Sequence, residues 1–136
     1  MIFNEWLRLE ENDMSWFDEI DKQCPCTLFD DADGWSPPRP VSQKFHPGGT
    51  WERRKDAPSS GSGLMPGSQC VYDAQGRLMT ASPSAGTADR YAPSSVGGVI
   101  QHFRHDVVPF NGAADLGRID DYNRVRPLMG GVCCTD

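Results

Sequence analysis

No stretch of this chain approaches the roughly 20 consecutive apolar residues that a membrane-spanning helix needs, so no membrane span is expected. Basic residues are also scarce: 13 Lys and Arg stand against 19 Asp and Glu, a formal net charge of −6. A nucleic-acid binder normally presents a basic face, so no nucleic-acid partner is expected. Met1 to Glu10 has neither a basic start nor a long apolar centre, and no signal peptide is read there. Apolar residues make up only 38% of the chain, whereas Gly and Pro supply 25 of its 136 residues. A core that small for the length usually needs a covalent or metal staple. The sequence contains no GxSxG, HExxH, phosphate loop or paired-Cys zinc ribbon. No cofactor is expected on that ground, and no metal ligand set is assigned.

What remains is unevenly charged. Residues 1–36 hold ten acids and two bases, net −8, and the other hundred residues are net +2. Such a run is usually a solvated helix face, and the sharper alternative is a dock for a basic partner. Residues 2–23 read as helical. Ile2, Phe3, Trp6, Leu7 and Leu9 form one stripe; Ser15 opens a second helix, with Asp18 three residues on as a near capping box. Trp16, Phe17 and Ile20 are its apolar face, and Trp6 and Trp16 are expected core anchors. Seven prolines make residues 24–68 irregular. Residues 69–80 give the clearest β signal, a hairpin whose turn Asp73-Ala74-Gln75-Gly76 puts Gly76 in the left-handed region. Val99 to Phe110 is a strand or a short helix, and Ile119 to Val125 a last helix ended by Pro127. The fold expected is a small, loop-rich α+β domain over residues 1–136. It comprises an acidic helical arm (1–23), a middle region (24–93) and a C-terminal extension (94–136).

Five cysteines are candidates for the staple. Bridges from Cys24 and Cys26 to Cys133 and Cys134 would clasp both chain ends and leave Cys70 over. Buried thiols and a zinc site are the rivals, although CxC is tighter than the usual zinc spacing. Three histidines occur, His46 in His-Pro-Gly-Gly, and His102 and His105 in Gln101 to Asp106. If the last segment is helical, His102 and His105 share a face, and with His46 they form a possible zinc set. Alternatively Asp106 orients His105 as a general base, with Cys26 or Cys70 as nucleophile. The plain reading makes His46 a turn residue and His105–Asp106 a structural polar pair.

Three segments carry a family likeness: Cys24-Pro25-Cys26-Thr27-Leu28, Phe45-His46-Pro47-Gly48-Gly49, and Gly67 to Leu78 with Gln69, Cys70, Tyr72, Asp73 and Gly76. With Ala85 to Arg90 as a Gly-rich stretch, residues 24–93 resemble the AMOP domain, an adhesion-associated extracellular module. Val71 stands where that family has a second Cys, and Trp51 to Arg54 stand where a Cys should follow HPG. The likeness implies a secreted, periplasmic or extracellular module that engages a protein or cell-surface partner. Tyr72 to Leu78 also resembles one YD-repeat hairpin of bacterial Rhs-type toxin shells. The alternative it suggests is a secreted bacterial effector, a toxin with hydrolytic chemistry around His46, His102, His105 and Asp106.

Overall fold

In the computed structural model, which describes residues 2–58, 65–93 and 96–129, the chain is a mixed α+β domain with an N-terminal helix and an open four-stranded sheet. Among the described residues no helix is long and apolar enough to cross a membrane.

Helix α1 (Phe3–Glu11) buries Phe3, Trp6, Leu7 and Glu10, the i, i+3, i+4, i+7 positions of one face. Ile2 and Leu9, expected on the stripe, fall off that period and are exposed. The break between the two expected helices falls at 12–14, but the second, Ser15–Glu19, is a 3-10 turn with no side-chain cap at its start. Trp16 and Ile20 are nevertheless buried, as their spacing predicted.

The sheet runs β1-β2-β3-β4, antiparallel throughout, from β1 (Arg39–Pro40), β2 (Trp51–Asp56), β3 (Gly67–Tyr72) and β4 (Ala88–Asp89). Strands β1 and β2 lie inside the segment read as irregular. The signal was missing because Trp-Glu-Arg-Arg-Lys-Asp has no apolar alternation. Arg53 instead spans one face of the sheet and donates to the carbonyls of Ser36, Leu28 and Asp30. Every residue of β3 is buried. The turn after β3 forms as expected: Gly76 has φ +79°, its N–H donates to Asp73 O, and Tyr72 bridges Leu78. The long ladder of β3 is with β2, however, from Trp51↔Tyr72 to Asp56↔Gly67.

Cys24 is disulfide-bonded to Cys70, across 46 residues. Cys24 is therefore not bound to the C-terminal pair, and Cys70 is not left over. The cause is β3, which carries Cys70 into the same apolar cluster as Cys24, Leu28, Trp16 and Ile20. Cys133 and Cys134 lie outside the described residues.

After the sheet the chain is helical: α2 (Val96–His102), a π-helical turn (Phe103–Val107), α3 (Val108–Asp115) and α4 (Ile119–Val125). The helix alternative for Val99 to Phe110 is thus the correct one. A second apolar cluster joins Phe3, Trp6 and Leu7 of α1 to Ala113, Tyr122 and Val125. Arg126 joins the two clusters. Its guanidinium lies 5.2 Å from the ring of Trp6 in one and 5.2 Å from that of Trp16 in the other.

Candidate functional site

A cleft of about 180 Å³ opens over the sheet face opposite Arg53. The loop at 41–46 and the segment 82–89 form two walls, and the helices α2 to α4 with the π-turn form the third. Strand pleating places Glu52 and Arg54 on the cleft face, two residues apart, with Gln69 opposite Arg54 in register. These three are linked: Gln69 Nε2 donates to Glu52 at 2.7 Å, and Arg54 Nε lies 3.3 Å from the same carboxylate. Arg54 Nη1 reaches Asp89 at 2.7 Å, and Thr87 Oγ1 donates to the other Asp89 oxygen at 3.1 Å.

Asp106 is the hub of the helical wall. Its Oδ1 accepts from Arg126 Nε at 2.5 Å and from the Arg90 N–H at 3.0 Å. Its Oδ2 accepts from the Tyr91 N–H at 3.1 Å and from His102 Nδ1 at 3.0 Å. Four donors on one carboxylate offset the cost of burying its charge. Burial works to raise the Asp106 pKa, but the His102 hydrogen bond and the Arg126 charge outweigh it and hold the carboxyl below its ordinary range. Asp89 goes the other way. Its burial is the dominant influence, and its pKa is raised despite His102 and Arg54.

The two cleft histidines are shifted in opposite directions. His46 is desolvated, which lowers its pKa more than the Ser84 carbonyl and the nearby carboxylates raise it. Burial also opposes charge on His102, but the Asp106 hydrogen bond and the charges of Asp89 and Asp106 prevail and raise its pKa. In both rings Nδ1 faces oxygen acceptors, Ser84 O for His46, and Tyr91 O with Asp106 for His102. A carbonyl cannot donate, so Nδ1 carries the proton and Nε2 is the nitrogen left for a ligand.

Of the four residues nominated for chemistry, His46, His102 and Asp106 line one cleft. His105 does not. The wide π-turn directs its ring onto Tyr91, centroids 5.1 Å apart, while its carbonyl accepts from Arg126. The base paired with Asp106 is accordingly His102, four residues earlier, and not His105. Cys70 is excluded as a nucleophile because it is oxidised. Neither it nor Cys26 lines the cleft. Gln69 is the only residue of the hairpin motif in the cleft lining; Tyr72 instead donates its hydroxyl to Pro25 O at 2.6 Å, tying the hairpin to the CPC loop.

Sequence reasoning missed Glu52, Arg54, Asn123 and, above all, Asp89 as site residues. Asp89, His102 and Asp106 each bring a ligand atom within 4.8 Å of the other two, a set that can hold a cation. It differs from the expected set of histidines. The arginines already occupy it: a metal entering there must compete with Arg54 for Asp89 and with Arg126 for Asp106. Only the Gly-rich stretch at 85–90 pointed to Asp89, and nothing local marked it as polar and buried.

The chain matches no protein-family model, no curated protein and no solved structure.

Proposed function

We propose that this protein is an extracytoplasmic binding module of AMOP-like type whose ligand site is the cleft between the sheet and the helices. The observation that carries the reading is the Cys24–Cys70 disulfide, which joins the CPC loop to the QCxYD strand. A stable disulfide suits an oxidising compartment. The Phe45 to Gly49 segment of the likeness supplies His46 to the cleft. The chemistry of the lining favours binding over turnover. Its carboxylates are held by arginines, and of the described cysteines neither Cys26 nor Cys70 lines it.

The test is a protein-observed NMR screen with small anionic, neutral and cationic fragments. Backbone amides of residues 41–46, 52–54, 82–89 and 119–123 are expected to shift with at least one class. Val41→Trp, which fills the mouth, should abolish the shifts. A screen in which no class perturbs these amides rejects the reading. Alkylation without reductant, read by intact mass and peptide mapping, should leave Cys24 and Cys70 unlabelled.

A second reading rests on the Asp106–His102 pair. An imidazole oriented through Nδ1 with Nε2 left over is the arrangement of a general base acting on water. It keeps alive a secreted effector with hydrolytic activity, centred on His102 rather than His105. His102→Ala should then remove hydrolysis of the effector's substrate, with a far-UV circular dichroism spectrum showing that the variant still folds.

A further inference from the structure

Resting on the reading of the cleft as the binding site, we propose that it receives one basic side chain, lysine or arginine, from a protein partner. Three observations define that occupant: the volume, the acceptors left over, and the charge.

The cleft holds about 180 Å³, whereas pockets for drug-sized ligands run to roughly 300 Å³ or more. It has room for a single long side chain. Its mouth is apolar, with Phe45 and Phe110 edge to face at 5.5 Å and Val41 and Leu128 nearby. Such a collar suits the methylene stem of a long side chain whose charged head goes deeper.

Inside, the unmet groups are acceptors. Asn123 Oδ1 is shut off from solvent and has no hydrogen-bond partner among the described residues. Its amide cannot be turned round to cure this, because Nδ2 donates to Arg126 O at 3.1 Å. A buried acceptor without a partner is costly, and the Asn123 side chain that carries it lines the cleft. His46 presents Nε2 as a lone pair, since its proton sits on Nδ1 against Ser84 O. An ammonium or guanidinium brings three or five donors to these sites.

The charges agree. Glu52, Asp89 and Asp106 line the cleft with Arg54, and Arg126 caps Asp106. When His102, whose pKa is raised, has lost its proton and Asp89 is ionised, three carboxylates face two guanidinium groups. An incoming carboxylate would find Arg54 already bonded to Asp89 and Glu52, and would meet three like charges. A cation meets the opposite balance.

The experiment titrates the whole chain with Nα-acetyl-lysine methylamide and Nα-acetyl-arginine methylamide, followed by the Asn123 side-chain amide and the cleft amides. The norleucine and glutamate analogues, n-butylammonium and zinc ion alone are the comparison arms. Lysine or arginine is expected to bind at least about tenfold more tightly than norleucine, as a charge-assisted hydrogen bond commands. n-Butylammonium binding equally well supports a site for the cationic head from any source. Asn123→Leu should erase the preference for lysine over norleucine. Val41→Trp should remove both, and a melt of each variant checks that it folds. Norleucine binding as well as lysine, or glutamate binding better, overturns the inference and leaves the cleft standing as a binding site. Shifts with zinc alone overturn it in favour of a metal site. Silence from every probe, together with silence in the fragment screen, removes the binding site itself.

Discussion

Asp106 Oδ1 and Arg126 Nε meet at 2.5 Å with side chains 2% and 0% exposed, and the helical wall of the cleft is built around that contact. Through Asp106 it fixes residues 90–91 and His102; through Arg126 it reaches Glu10 of α1 and the two tryptophans. Breaking one side of a buried pair leaves the other charge uncompensated, which typically costs about 3–5 kcal/mol. Asp106→Asn keeps the shape and removes the charge, so urea denaturation should register a loss of that order. A loss under about 1 kcal/mol would mean the pair is worth no more than an exposed one.

The disulfide should matter almost as much. Closing a loop across 46 residues gives about 4 kcal/mol in the chain-entropy account. The double variant Cys24→Ala with Cys70→Ala is expected to lose most of this and to leave a cavity beside Leu28 and Tyr72. An unchanged denaturation midpoint would show that apolar packing alone holds the CPC loop.

The cleft histidines should titrate on opposite sides of their ordinary value of 6.5, His102 above and His46 below. The consequences for stability differ in sign. His102, raised by folding, stabilises fully below pH 6.5, and that contribution disappears as pH climbs through its folded pKa. His46, depressed by folding, contributes above 6.5 and stops contributing as pH falls through its folded pKa. Asp106 behaves like His46 at lower pH: its contribution is present above 3.8 and is lost as acid takes it through its depressed folded value. Ring-proton NMR titration of wild type, with His46→Gln and His102→Gln for assignment, would check the order. The reverse order would contradict the burial and hydrogen bonding described.

Gly86 offers a steric test. A Cβ there would lie 2.0 Å from Gln69 O and 2.6 Å from Gln69 C, both backbone atoms of β3. Neither can retreat without disturbing the Gln69 N–H bond to Thr87 O that leads into β4 and Asp89. Gly86→Ala should therefore cost about 3 kcal/mol or more, in the range of severe overpacking. Circular dichroism melts would measure it, and a melt within two degrees of wild type would rule out so close an approach in solution.

How much of this was legible in advance depended on the range of the interaction. The helical periods of Phe3 to Leu7 and of Trp16 and Ile20, the Asp73–Gly76 turn and the helix before Pro127 are set by neighbours a few residues apart. Each could be read from spacing and turn chemistry. Strand β2 could not. Its polar residues face a buried network on one side and loop carbonyls on the other, so alternation of polarity carries no message. The π-turn was equally silent, and one extra residue in that turn separates His105 from the cleft that His102 enters.

By itself the sequence determined the α+β character, the two tryptophan anchors and the turn at Gly76, because local sterics and periodicity act along the chain. Only the tertiary structure decided that Cys24 takes Cys70, that His102 and not His105 bonds Asp106, and that Asp89, Arg54 and Asn123 join them. Those choices depend on which strand lies beside which, and on two arginines buried where carboxylates from distant segments converge. No spacing rule encodes such a meeting, since its partners are joined only by the packing of the sheet against the helices.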